Sequence, residues 1–175
     1  HCAQSGQTVG DVILRDRCRF VLTETYVADF AVRIDAFLNN LPLYSRELRK
    51  DDLQGVVDKK YLKTNVITGV DYFTYNNRYK LQILRVSLAE SPGGTSWFGQ
   101  AYLALDLRGN IVMEGMVDYP HHCDNMLSLS PAGHYLLTCS ELASFENNRR
   151  SKLDGQVVLA DFLSDSLYTV VYSPY

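Results

Sequence analysis

The chain of 175 residues has a single tryptophan, three methionines and four histidines, and it contains no apolar run near the roughly 18 residues that a membrane-spanning helix needs. Charge of one sign is also missing. Seventeen Lys and Arg stand against twenty Asp and Glu, leaving a net charge of −3 and a pI near 5.8. No global basic field is present to hold nucleic acid or an anionic membrane surface, so neither is expected as a partner. There is no GxSxG elbow, HExxH, P-loop or GxGxxG fingerprint. Calcium-loop spacing and CxxC pairs are absent as well. These absences remove the strong catalytic signatures; the reading leans away from an enzyme and expects no cofactor and no metal.

Gly94-Thr95-Ser96-Trp97-Phe98-Gly99 places a serine near glycines without the elbow spacing and reads as a turn into a strand. His121-His122-Cys123-Asp124 is the densest group of potential ligands, but adjacent side chains usually diverge, whereas zinc needs three or four converging ligands. A cysteine nucleophile from Cys123 or Cys139 with His134 as base would require a free thiol of low pKa. Asp51-Asp52 sits in a mixed-charge stretch, while Glu141 and Glu146 read as loop residues with no pocket of fixed geometry around them.

What is present is an ordinary globular composition, 46% apolar and 21% charged. One domain over residues 1–175 is expected, large enough to bury roughly 70% of its unfolded surface. Cys2, Cys18, Cys123 and Cys139 fall in two pairs, each 16 positions apart. An even count at wide spacing fits two disulfides. Of the three pairings that four cysteines allow, local pairing (Cys2–Cys18 and Cys123–Cys139) is preferred, because each such loop contributes about 3 kcal/mol in the chain-entropy model. Disulfides imply a periplasmic or extracellular location, with a signal peptide removed ahead of His1.

Along the chain, residues 1–63 read as a mixed helix and strand part. Arg15, Arg17 and Arg19 would share one strand face opposite Cys18. Val27, Phe30, Ala31, Ile34, Leu38 and Leu41 follow helical spacing, which predicts a helix over 26–39 stopped by Asn39-Asn40 and Pro42. Residues 44–63 are charge-dense with mixed signs and read as a surface helix or long loop. From residue 64 the pattern becomes β. Hairpins are predicted at 66–75 with 78–88, at 97–107 with 111–117, at 126–130 with 134–139, and at 156–162 with 167–172, the turns between them rich in Asn, Gly, Pro and Asp. The fold class is mainly β, antiparallel hairpins in a meander, with a short N-terminal helical part.

Three stretches carry a resemblance. Leu127-Ser128-Leu129-Ser130-Pro131-Ala132-Gly133-His134-Tyr135-Leu136-Leu137 resembles the strand–SPDG–strand signature of β-propeller blades, with alanine in place of aspartate. The segments 104–112 and 158–168 resemble the outer hairpin of such blades. The resemblance implies partial-propeller-like sheets. At roughly 40–50 residues per blade the matching stretch holds fewer than two blades, which excludes a closed ring of standard size. By its sheet-turn pattern, size and cysteines the chain also resembles the periplasmic immunity proteins that neutralise amidase effectors of type VI secretion systems.

The segment 140–155 reads as an irregular polar insertion, long for a hairpin loop. Within it, Ser144, Phe145, Glu146, Asn147, Asn148, Arg149 and Arg150 are the candidate partner-binding residues, with an exposed Phe145 as apolar anchor among polar contacts. Twelve tyrosines add aromatic surface. The expected function is an exported binding protein that blocks a secreted or periplasmic hydrolase by occluding its active site. The alternatives are an accessory or ligand-binding subunit of a cell-envelope assembly, or a hydrolase with dispersed catalytic residues.

Overall fold

The computed structural model of the chain describes residues 6–13, 18–25, 31–90, 98–118 and 127–173. Its first sheet is a four-stranded antiparallel meander: β1 (Gly6–Ile13), β2 (Cys18–Thr25), β3 (Ala31–Leu38) and β4 (Leu41–Leu48), in that order. This corrects the helix expected over 26–39, of which residues 26–30 lie outside the described residues. Val32, Ile34 and Ala36 are buried while Arg33 faces out, a period of two instead of 3.6. Leu38 and Leu41, which the helical stripe would have buried, are 38% and 70% exposed. Asn39 and Asn40 do end the element, but as a hairpin turn. Their φ angles of 52° and 64° are the two positive values that a two-residue type I′ connection requires.

The charge-dense stretch that follows holds a single 3-10 turn (Lys50–Leu53) and one short helix, α1 (Lys59–Thr64), whose first turn is capped by the Asp58 side chain. Between its charges it buries Leu53, Val57 and Leu62 against the neighbouring sheets. The Arg46 guanidinium pins the strand end to this connector, donating to Asp52 Oδ1 at 2.8 Å and to the Gly109 carbonyl at 2.7 Å.

The second sheet, again a meander, runs β5 (Asn65–Asn76), β6 (Leu81–Glu90), β7 (Phe98–Leu105) and β8 (Ile111–Asp118). Both of its faces are covered. Leu84, Val86, Leu88, Ala101, Leu103 and Leu105 pack with Val32, Ile34 and Leu48 of the first sheet. The alternate residues Ile83, Tyr102, Ala104, Met113 and Val117 pack with Leu136 and Ala143 of the third and with Leu127 just ahead of it. The third sheet consists of β9 (Ser128–Leu129), β10 (Tyr135–Leu137), β11 (Glu141–Ser144) and β12 (Arg149–Lys152), paired in succession. Its far face, with Leu137 and Cys139, meets a final hairpin, β13 (Val157–Ser164) and β14 (Leu167–Tyr172), through Val157, Ala160, Phe162 and Val170. All four expected hairpins are present. What the sequence reading missed is the additional four-stranded sheet before them and the pair β11–β12.

Turn chemistry sets these registers. The buried Asn76 amide oxygen accepts the N–H groups of Arg78 and Tyr79, and its nitrogen donates to the Gly133 carbonyl at 2.8 Å. Asn76 thereby ties the β5–β6 turn to the β9–β10 turn. Gly133, at φ 78°, leaves room for that amide; a Cβ there would stand 2.7 Å from Asn76 Oδ1. Asp106 organises the β7–β8 turn by accepting the N–H groups of Arg108 and Asn110.

Candidate functional site

The segment expected to be an irregular insertion is a regular hairpin. Ser144 ends β11, residues 145–148 make a four-residue turn, and Arg149 and Arg150 open β12. Phe145 is not the exposed anchor the sequence suggested. It is half-buried against the core shared by the second and third sheets, its ring 5.8 Å from that of Tyr79, and its N–H donates to the His134 carbonyl. An aromatic residue at the start of a short turn folds back onto its own sheet when a core lies underneath. Glu146, Asn147, Asn148, Arg149 and Arg150 are exposed. The Asn147 side chain accepts the Arg149 N–H at 3.1 Å, and Asn148 takes φ 53°, so the tip is a structured turn.

A second feature lies at the base of this hairpin. A cavity of about 550 Å³ opens between β8, the outer strands β11 and β12, and the connector around 55–61. It is built by cross-strand register. Glu141 pairs with Lys152 and Ala143 with Arg150, and residues directly opposite or two apart share a face. One face therefore carries Glu141, Arg150 and Lys152 toward β8. The turn before β11 fixes Glu141 further: Thr138 Oγ1 donates to the Met116 carbonyl and accepts the N–H groups of Ser140 and Glu141. The Cys139 N–H donates to the Val117 carbonyl.

Glu141 is only 6% exposed, and its Oε1 accepts the Tyr102 hydroxyl at 2.8 Å. Burial raises its pKa above the ordinary carboxylate value, against the lowering pull of that hydrogen bond and of Arg150 and Lys152. Burial, with the adjacent Glu141 charge, also raises the Tyr102 phenol, which stays a donor. The pair fits because residue 115 is glycine. A Cβ at Gly115 would lie 2.0 Å from Glu141 Oε1 and 2.5 Å from the Tyr102 ring and hydroxyl. On the other side of β8, Glu114 is likewise raised by burial, and its carbonyl accepts from Arg150 Nη1 at 2.9 Å. Arg150 and Glu114 also border a shallower depression with Arg46, Asp52 and Asn148.

The site therefore joins Arg150, a candidate partner-binding residue, and Lys152 of the same polar segment with residues outside it or outside the candidate set: Tyr102, Gly115, Glu141 and Lys60. Glu141, expected in a loop without a pocket, instead lines this cavity. The signal available was the alternation Glu141-x-Ala143 against Arg150-x-Lys152, which becomes visible once β11 and β12 are read as paired strands.

The other candidates divide by position. Cys139 is disulfide-bonded. Cys2 and Cys123, and the ligand-rich segment His121 to Asp124, lie outside the described residues, and of Cys18 the backbone in β2 is described. The His134 ring stands 6.4 Å from that of Tyr79. Among the described residues, no three His, Cys, Asp or Glu side chains converge as a metal site, and no helix is long and apolar enough to cross a membrane. Compared with protein-family models and with curated proteins, the chain matches none.

Proposed function

We propose that this chain is an exported binding protein whose β11–β12 hairpin tip engages and occludes a secreted or periplasmic hydrolase, in the manner of an immunity-type inhibitor. One observation carries the reading: five consecutive exposed polar residues, Glu146 to Arg150, are presented on a hairpin anchored at both ends. Phe145 holds one side to the core and Arg150 holds the other to the Glu114 carbonyl. Binding groups on a rigid support lose little conformational entropy on association, which favours affinity. The half-cystine Cys139 suits an oxidising compartment. The stacking of successive four-stranded meanders supports the companion reading of the sheets as consecutive blades of a partial propeller.

The test is capture of secreted and envelope proteins on the wild-type chain without reductant, followed by assay of any captured hydrolase. Stoichiometric inhibition that is lost in Glu146→Ala/Arg149→Ala, with unchanged thermal stability, is the expected result. An inhibitory complex indifferent to those substitutions would move the interface elsewhere; absence of any captured hydrolase would remove the inhibitor reading.

A further inference from the structure

We propose that the cavity between the second and third sheets is a binding site for a small organic anion carrying an apolar body. The inference does not require the inhibitor reading: it concerns the cavity at the base of the hairpin, and Arg150 is the one residue that both share.

The cavity's volume, about 550 Å³, falls within the roughly 300–1,000 Å³ typical of small-molecule sites. Its apolar lining comes from Val56, Val57, Met116, Leu153 and Val157, while Lys60, Arg150 and Lys152 supply three cationic groups. Two carboxylates line it as well, and among the described residues neither makes an ion pair within 4.0 Å with those cations. Asp58 is engaged as the cap of α1, accepting the Lys60 N–H at 2.9 Å. Glu141 gives its Oε1 to Tyr102 and, among the described residues, makes no ion pair. Elsewhere the described ion pairs within 4.0 Å take up Arg33, Arg46, Arg49 and Arg85; none involves Lys60, Arg150 or Lys152. An anionic headgroup entering the cavity thus meets three cations held in no described ion pair within 4.0 Å, with Arg150 bonded to a backbone carbonyl and Lys60 lying over the Tyr61 ring.

Glu141 then has a definite part. Its second oxygen receives no hydrogen bond among the described residues, and the side chain is almost fully enclosed. Burial raises the pKa of this carboxyl, and in its protonated form it can donate a hydrogen bond to an anion, which the charged carboxylate would repel. Arg150 is already oriented through its bond to the Glu114 carbonyl, so one guanidinium edge is fixed and the remaining donors stay available. The headgroup is recognised by charge and hydrogen bonding, a requirement met equally by a carboxylate and a phosphate monoester.

The experiment is calorimetric and NMR titration of the disulfide-intact full chain with octanoate, octyl phosphate, octylamine and octanol, which share one apolar body and differ in headgroup. Saturable 1:1 binding of octanoate or octyl phosphate, at least ten-fold tighter than octylamine or octanol, is expected, and the stronger of the two anions names the source chemistry. Arg150→Gln and Lys152→Gln, both on exposed strand positions, should each weaken it about five-fold or more. Leu163→Ser, on the exposed face of the last hairpin, should leave it unchanged. Preference for octylamine, equal binding of all four probes, or loss of binding in Leu163→Ser with none in Arg150→Gln would overturn the assignment. So would the absence of saturable binding by either anion.

Discussion

The second sheet and the C-terminal hairpin are built from similar strands, yet they hold very different positions. In β6 and β7 alternate side chains go to opposite faces, and both faces are covered, one by the first sheet and one by the third. In β13 and β14 one face packs on the third sheet, while the other leaves Leu163 and Leu167 64% and 56% exposed. Each draws on β-branched and aromatic residues, Ile83, Val86 and Tyr102 in one and Val157, Phe162 and Tyr168 in the other. What differs is the number of neighbours, and a leucine contributes to stability only where a neighbour removes it from water. The core energy of this protein is therefore concentrated in its middle sheets, and its last hairpin is held from one side.

Substitutions can break or sharpen this contrast. Truncating a leucine that is enclosed on all sides should have the largest effect. Leu84→Ala, in the face covered by the first sheet, should cost about 2–5 kcal/mol by equilibrium denaturation. A cost below about 1 kcal/mol would mean the two sheets do not pack as described.

Next comes the close approach at β8. Gly115→Ala forces a Cβ against the Glu141–Tyr102 pair and should destabilise by about 1–3 kcal/mol, the usual range for overpacking. The same substitution should abolish the Tyr102–Glu141 hydrogen bond, which ultraviolet titration of the tyrosines would report.

A smaller, pH-dependent effect belongs to Glu141. Its folded pKa lies above the ordinary value of 4.5, with burial the largest cause, so the folded state favours the protonated form. Stability from this group is present below 4.5 and is lost as pH rises through the folded pKa. Glu141→Gln keeps an acceptor for Tyr102 but cannot ionise. Its stability relative to wild type should therefore improve as pH rises from about 4 to 7; a flat difference across that range would show that Glu141 is not shifted as described.

The smallest effect is expected on the exposed hairpin face. Leu163→Ser should change stability by no more than about 0.5 kcal/mol. A loss of 2 kcal/mol or more, about the cost of uncovering a buried leucine, would place that face under cover.

The C-terminal hairpins were legible because each carries its own punctuation: Asn76, the Arg108-Gly109-Asn110 turn, Pro131-Ala132-Gly133 and Ser164-Asp165 stand between alternating apolar runs. The segment 31–38 was misread because its apolar residues satisfy periods of 3.6 and 2 at once, and only pairing with β2 and β4 decides between them. Phe145 was placed outside because local polarity surrounds it; the core beneath it comes from Tyr79, far away in sequence. Glu141 was passed over for the related reason that its partner Tyr102 is 39 positions distant.

By itself, then, the sequence determined a mainly β chain, the places of most turns, and the polar character of residues 146–150. These are local properties, set by backbone preferences and side chains within a few positions. The stacking of the sheets, the burial of Glu141 beside Tyr102 and Gly115, and the cavity between β8 and the β11–β12 pair were decided only by tertiary structure. Each arises from residues brought together across strands, where register and packing determine which side chains meet.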